Sequence, residues 1–268
     1  EEDEVAVIAP SSGCQNGKEK LLAGINLLES QGFKCKYDKN ILCSDASLDY
    51  FASSKKQRIY ELRSALVDPK VKIIWAFRGG YGASEIVFDF IMKNNLQPTI
   101  LINGIGGGFG SKTFDSDDIY EKVFRLNFHI AKIMTDFVSK FAIDQGWGRF
   151  IYIGTLAVNH KSGSAAYVAS KAALLSYMKV VAKEFVKINE NIMAAAILPG
   201  AIDVPGKYLN KLVETDRLKL KQYLQENKMD IGRLGKMSEV ANVADFLCQE
   251  DTNFMHGCAI EVDGAASN

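Results

Sequence analysis

Short apolar runs rich in β-branched residues alternate with helical segments, and this alternation constrains the fold more than any other feature of the chain. The seven runs that predict strands are residues 5–9, 33–37, 71–77, 99–103, 149–154, 191–198 and 258–262. The runs are continuous, without polar alternation, so both faces of each strand are expected to be buried. The pattern predicts an α/β fold, a doubly wound, mostly parallel, Rossmann-like sheet of about seven strands with helices on both faces.

Helical periodicity occupies most of the segments between these strands. The predicted helices cover residues 18–31, 55–67, 84–94, 117–144, 165–188, 207–226 and 238–249. Ligands bind at the carboxyl ends of the strands in such sheets. The glycine cluster from Gly104 to Gly110, directly after the fourth strand, is therefore expected at the ligand-binding edge.

Composition narrows the classes of function. The 268 residues carry a formal net charge of zero, which argues against nucleic acid or an acidic membrane as a partner. No apolar run approaches the roughly 20 residues of a membrane span. The five cysteines form no CxxC pair, which favours reduced thiols in a cytoplasmic protein, and the three scattered histidines support no metal site.

Tyr167 and Lys171 are the clearest candidates for chemistry. At positions i and i+4 they share one face of a helix. A neighbouring ammonium favours the phenolate, so the pKa of Tyr167 is expected below the ordinary tyrosine value of about 10. With the hydroxyl of Thr155 and the amide of Asn127 upstream, the set suits general acid/base catalysis on a carbonyl or alcohol.

Several motifs occur in a fixed order from about residue 98 to the end. They include Leu101-Ile102-Asn103-Gly104-Ile105-Gly106, Asn127, a strand ending at Thr155, Tyr167-x-x-x-Lys171, and Pro199-Gly200-Ala201-Ile202. In this region the chain resembles the short-chain dehydrogenase/reductase family, with threonine at Thr155 where the family has serine.

The resemblance implies a role for each matched residue. Tyr167 would be the general acid/base, Lys171 would lower its pKa and hold the nicotinamide ribose, Thr155 would orient the substrate carbonyl, and Asn127 would hold a relay water. The cofactor would be NAD or NADP. Its expected contacts in this region are Asn103, Gly104, Gly106, Tyr167, Lys171, Pro199, Gly200 and Ile202.

The first turn departs from the dinucleotide fingerprint, which needs clustered glycines beside the pyrophosphate. The chain has Ala9-Pro10-Ser11-Ser12-Gly13 followed by a single further glycine, Gly17. Ser11, Ser12 and Gly13 remain candidates for a phosphate contact through backbone N–H groups. Asp38, after the second strand, is a candidate for the adenosine ribose. Asp38 favours NAD, whereas the neighbouring Lys36 and Lys39 suit the 2′-phosphate of NADP.

The first third has its own motifs, Val5-Ala6-Val7-Ile8-Ala9-Pro10-Ser11-Ser12-Gly13 and Ile74-Trp75-Ala76-Phe77-Arg78-Gly79-Gly80-Tyr81-Gly82. Over about residues 5–95 it resembles the N-terminal part of the LD-carboxypeptidases, a family of serine peptidases. The family's nucleophilic serine would follow the fourth strand, where this chain has Asn103-Gly104-Ile105. The chain is therefore predicted to be a chimera with its join near residues 96–103.

Residues 1–268 are expected to form one Rossmann-like domain, in which 1–97 supply LD-carboxypeptidase-like βα units and 98–268 supply a dehydrogenase-like catalytic half. The leading functional hypothesis is hydride transfer between NAD(P) and a small carbonyl or alcohol substrate. The alternatives are a catalytically silent chimera without a productive cofactor site and an LD-carboxypeptidase-type serine peptidase. The resemblance also implies a homodimer or homotetramer formed through the helices at 117–144 and 165–188.

Overall fold

A computed structural model describes residues 4–8, 18–30, 32–38, 54–68, 70–76, 88, 91–92, 95–108, 110–160, 163–204, 208–227 and 229–267. The chain divides into two compact units, Glu1–Leu96 and Gln97–Asn268. The predicted helix at 84–94 falls almost entirely outside the described residues, as does the turn that contains Ser11, Ser12 and Gly13.

In the residues that the structure describes, the first unit contains a three-stranded parallel sheet with a helix packed on each face. Its elements are β1 (Glu4–Ile8), α1 (Lys18–Ser30), β2 (Lys34–Tyr37), α2 (Lys55–Val67) and β3 (Val71–Ala76). Successive side chains of a strand point to opposite faces, so β1 contributes to two apolar clusters. Val5 and Val7 pack with Leu21 and Ile25 of α1, whereas Ala6 and Ile8 pack with Leu62 and Ala65 of α2.

The strand order in this unit is β2-β1-β3. β1 therefore has both edges occupied, and Ile8 is paired with Ala76 at the carboxyl ends of β1 and β3. The order matches the flavodoxin-like arrangement, in which β3 is the second neighbour of β1. In the dinucleotide-binding arrangement that place belongs to the fourth strand.

The second unit contains the predicted catalytic residues. Its elements are β4 (Ile100–Asn103), α3 (Asp117–Phe124), a π-helical turn (Arg125–His129), α4 (Ile130–Gln145), β5 (Gly148–Ile153), α5 (Ala157–His160), α6 (Ala165–Ile188), β6 (Ile192–Pro199), β7 (Ile202–Asp203), α7 (Tyr208–Thr215), α8 (Arg217–Glu226), β8 (Gly235–Lys236), α9 (Met237–Leu247), a 3₁₀ helix (Glu250–Met255) and β9 (Ala259–Val262). A parallel sheet has the order β4-β5-β6-β9, and β7 pairs separately with β8.

Side-chain alternation along β5 places helices on both faces of this sheet. Phe150 and Tyr152 are fully buried in a cluster with α4 and α6, whereas Ile151 is buried on the other face with Ala244 and Leu247 of α9. The predicted doubly wound, mostly parallel α/β fold is thereby confirmed, and all seven predicted strands are present. Their union in one sheet and one domain stays a prediction.

Two predicted helices differ from the observed ones. The helix predicted over 117–144 contains the π-helical turn at Arg125–His129. The helix predicted over 207–226 is broken at Asp216, whose Oδ1 accepts a hydrogen bond from the Lys219 backbone N–H at 3.0 Å and so caps α8. Aspartate is a strong N-cap residue, so the chain starts a new helix there instead of continuing the first.

In the part of the chain that the structure describes, no helix combines the length and apolarity that a membrane span needs. The same residues contain no group of three or more His, Cys, Asp or Glu side chains placed to hold a metal ion.

Candidate active site

Asn127 lies in the π-helical turn and is completely buried. Its Nδ2 donates to the carbonyl of Gly107 at 2.9 Å and to that of Val123 at 2.8 Å, and its Oδ1 accepts from the Gly107 N–H at 3.0 Å. π-helical turns occur frequently at functional sites because the extra residue redirects a side chain. Here the redirected amide fixes the glycine-rich loop that follows β4. The relay water assigned to Asn127 stays a prediction.

Lys171 is buried in α6, and its Nζ donates to the carbonyl of Ile153, the last residue of β5, at 2.8 Å. Burial disfavours the charged ammonium and lowers the pKa of Lys171 to about 8. An ideal Cβ built on Gly106 would lie 2.8 Å from both Lys171 Nζ and Asn127 Oδ1. Gly106 therefore brings these two side chains together against the backbone of the β4 loop.

Tyr167 is half-buried one turn before Lys171, and its phenol lies near the side-chain hydroxyl of Thr155. Burial raises the pKa of Tyr167, and the Thr155 hydroxyl offsets part of that rise. The expectation that the Lys171 ammonium lowers the pKa of Tyr167 is wrong: this pKa is raised by burial, Thr155 offsets part of the rise, and the ammonium is directed to Ile153.

The remaining predicted cofactor contacts of this unit lie at the carboxyl ends of β4 and β6 or in the residues that directly follow them. Asn103 ends β4, is buried, and has no hydrogen-bond partner for Nδ2 among the described residues. Gly104 follows it and is exposed. Pro199 ends β6 and Ile202 begins β7. Gly200 must be glycine, because a Cβ there would lie 2.9 Å from the backbone Cα of Asp263.

The first unit contains the residues predicted to contact the adenosine ribose and the pyrophosphate. Asp38, predicted for the ribose, lies directly after β2 and is exposed. Ser11, Ser12 and Gly13 lie outside the described residues, so their predicted phosphate contact stays a prediction.

A cavity of about 350 Å³ opens beside Thr155. It is lined by Thr155, Leu156, Ala157, Pro199, Gly200, Ala201, Tyr223, Glu226, Asn227, Met229 and Ala266. Its volume falls in the range of small-molecule sites. Sequence reasoning missed Tyr223, Glu226, Asn227 and Met229, because their part in the site depends on how α8 folds back over Thr155.

The crowding around Gly106 predicts that Gly106→Ala damages the site. The new methyl would lie 2.8 Å from two buried polar atoms, so Asn127 or Lys171 must shift, and a loss of about 1–3 kcal/mol in unfolding free energy is expected. Urea denaturation would measure this loss. Gly104→Ala is the matched control, because its Cβ would meet only Ile153 Cγ1, at 4.0 Å. Equal stability of the two variants would contradict the proposed packing.

Two family models match the chain, and they meet near the join that the sequence predicts at residues 96–103. A model described as the LD-carboxypeptidase N-terminal domain matches residues 5–102, and one described as enoyl-(acyl carrier protein) reductase matches residues 84–266. Both resemblances inferred from the sequence are thereby confirmed.

Curated relatives match mainly the second region. A 7α-hydroxysteroid dehydrogenase of Bacteroides fragilis is 28% identical over 222 residues, covering 81% of this chain and 82% of that protein. A 3-oxoacyl-(acyl-carrier-protein) reductase of Aquifex aeolicus is 30% identical over 146 residues, covering 54% and 55%. The chain thus spans little more than half the length of several of these relatives.

Solved structures share the fold at low identity. An L-sorbose reductase from Gluconobacter frateurii, solved with NADPH and L-sorbose, has a TM-score of 0.63 at 22% identity and covers 100% of this chain and 97% of that one. A 4-hydroxyisoleucine dehydrogenase solved with NADH has a TM-score of 0.59 at 20% identity, with 98% of each chain covered. At these identities the similarity shows the fold alone.

Proposed function

The chain belongs, over residues 84–266, to the enoyl-(acyl carrier protein) reductase family of short-chain dehydrogenases/reductases, and from that premise we propose that it is an NAD(P)-dependent oxidoreductase acting on a carbonyl or alcohol group. One observation carries the proposal. The hydroxyl of Tyr167 lies near that of Thr155, Lys171 is buried one turn further along α6, and Thr155 lines the small-molecule cavity.

The residues around the β4 loop fit the nicotinamide half of such a cofactor. Buried polar atoms are almost always hydrogen-bonded, so the unpartnered Nδ2 of Asn103 is a donor that suits a ligand oxygen. Because Gly106 has no side chain, its backbone approaches Asn127 and Lys171 closely. An ammonium has three donors. One of those on Lys171 goes to Ile153, and we assign the others to the ribose hydroxyls.

The reaction needs a hydride and a proton, and a bound nicotinamide supplies or accepts the hydride. The chain's own residues handle the proton. In the direction of reduction Tyr167 donates its phenolic proton to the substrate oxygen, and its raised pKa keeps that proton in place at neutral pH. The Thr155 hydroxyl donates a second hydrogen bond to the same oxygen. Donors aimed at the oxygen where charge develops stabilise the transition state.

The strand order of the first unit supports the silent chimera as a second candidate. In the dinucleotide-binding arrangement, the turn after β1 faces a crevice between β1 and the fourth strand. Here β3 occupies that edge of β1. The altered turn sequence and the altered neighbour both argue for a loss of pyrophosphate affinity. The peptidase alternative has less support, because β4 ends in Asn103-Gly104-Ile105 without a serine.

Thermal unfolding with NAD, NADP and their reduced forms tests the proposal against the silent chimera. A ligand at a hundred times its dissociation constant stabilises the folded protein by roughly 2.7 kcal/mol. For a chain of this size that corresponds to a rise of several degrees in the unfolding midpoint. We expect such a concentration-dependent rise with at least one dinucleotide.

Lys171→Met should abolish the rise, whereas Lys179→Met, which removes an exposed lysine of the same helix, should retain it. No rise with any of the four forms would favour the silent chimera. Self-association through the helices at 117–144 and 165–188 stays an expectation, which sedimentation velocity would check. A cytoplasmic location also stays an expectation, which cell fractionation would check.

A further inference from the structure

The cavity beside Thr155 has one charged wall. Among the described residues that line it, Glu226 alone carries a charge. The others are apolar or neutral, so no described cation lines the cavity to balance this carboxylate. Lys171 lies outside the lining, with its ammonium directed to Ile153.

The carboxyl end of α8 adds partial negative charge to the same part of the cavity lining. α8 runs from Arg217 to Glu226, and its C-cap residue Asn227 also lines the cavity. The carboxyl end of a helix carries partial negative charge from its terminal carbonyls, and cations are favoured there. The Asn227 N–H and Nδ2 both donate to the carbonyl of Tyr223, at 3.1 and 2.8 Å. These bonds hold Asn227 at the end of the helix.

The cavity lining therefore combines two kinds of chemistry. Thr155 lies near Tyr167, the proton donor of the proposed reaction, and Glu226 attracts positive charge. A substrate that matches both residues carries a ketone or secondary alcohol and a cationic nitrogen. A substrate with a carboxylate or phosphate beside Glu226 would meet like charge.

We propose that the substrate is a small cationic amino ketone or amino alcohol, and that Glu226 selects it. The proposal rests on the proposed function, because it assigns a substrate class to the same site. Glu226 is exposed, so solvent weakens the attraction. A preference of about three- to fivefold is the size that an exposed charge pair supplies.

A matched set of ketones tests the proposal. The first is a six-membered cyclic ketone with a quaternary dimethylammonium opposite the carbonyl. The second has a quaternary carbon in place of the nitrogen, so that shape is kept and only charge is lost. The third carries a carboxylate at that position. We expect kcat/KM to be about three- to fivefold higher for the cation than for the neutral ketone and lowest for the carboxylate, and we expect this preference to shrink as salt is added.

Glu226→Gln should reduce the ratio between the cationic and neutral ketones to near one. Glu121→Gln is the matched control, since Glu121 is an exposed residue of α3 outside the cavity, and it should keep the ratio. Equal kcat/KM for the cationic and neutral ketones in the wild type would overturn the proposal, as would an unchanged ratio in Glu226→Gln.

A binding measurement separates this proposal from the proposed function. The unfolding midpoint should rise with the cationic ketone more than with its neutral isostere, and Glu226→Gln should remove the difference. If neither ketone is reduced but this difference is present, the proposed reaction fails and the cation site stands. If both are reduced equally and neither stabilises more, the reaction stands and the cation site fails.

Discussion

Replacing Tyr167 by phenylalanine is expected to lower kcat/KM by about a thousandfold while the fold is retained. The substitution removes only the phenolic hydroxyl, which is the proton donor in the proposed reaction and lies near Thr155. Proton transfer by a positioned side chain contributes typically 10²–10⁴-fold to the rate. The cost in stability is at most that of one hydrogen bond, about 1 kcal/mol. Steady-state reduction of a ketone with NADH or NADPH measures the first effect, and circular dichroism with thermal unfolding measures the second.

Tyr177→Phe is the matched control for this experiment. Tyr177 lies ten residues further along α6 and packs in the core against Phe128 and Tyr152, away from Thr155. Losing its hydroxyl should leave kcat/KM within about twofold. A Tyr167→Phe enzyme that keeps more than about a tenth of the wild-type rate would show that another group supplies the proton.

Replacing Arg149 by methionine is expected to lower the free energy of unfolding by about 3–5 kcal/mol, the cost of breaking a buried charged network. Arg149 is completely buried at the start of β5. Its guanidinium donates to four backbone carbonyls and one side-chain oxygen at 2.8–3.0 Å: Gly148 O, Asn191 O, Gln249 O, Glu250 O and Asn253 Oδ1. Methionine has similar length but donates no hydrogen bond, so every acceptor loses the guanidinium, although Asn191 O retains the Gly148 N–H and Gln249 O retains the Thr252 hydroxyl.

This network joins the start of β5 to the chain before β6 and to the 3₁₀ helix at Glu250–Met255. The Arg149 guanidinium also stacks on Trp147, with its central carbon 4.7 Å from the ring centroid. Urea denaturation is the appropriate measurement, and Arg217→Met, at an exposed position of α8, should cost less than about 0.5 kcal/mol. A loss below about 1 kcal/mol at Arg149 would mean that water or a local shift satisfies the carbonyls.

Local patterns were sufficient for the elements that position the site. Continuous apolar runs identified the seven strands, and the i, i+4 spacing placed Tyr167 and Lys171 on one face of α6. The Asp216 cap is also local, and a closer reading of Thr215-Asp216 as a helix start would have found it. The contacts of Asn127 could not be predicted in the same way, because the π-helical turn that directs its amide to Gly107 has no distinct sequence pattern.

The sequence by itself determined which side chains are available, in what order they follow the strands, and that two different families contribute to the chain. Only the tertiary structure decided the pKa values of these side chains. Tyr167 has a raised pKa and Lys171 a lowered one because both are buried, and burial depends on which elements pack over a residue. The tertiary structure likewise decided that α8 brings Glu226 to the cavity of Thr155 and that β3 lies beside β1. Desolvation and strand pairing depend on contacts between residues far apart in the chain, so no local sequence pattern predicts either of them.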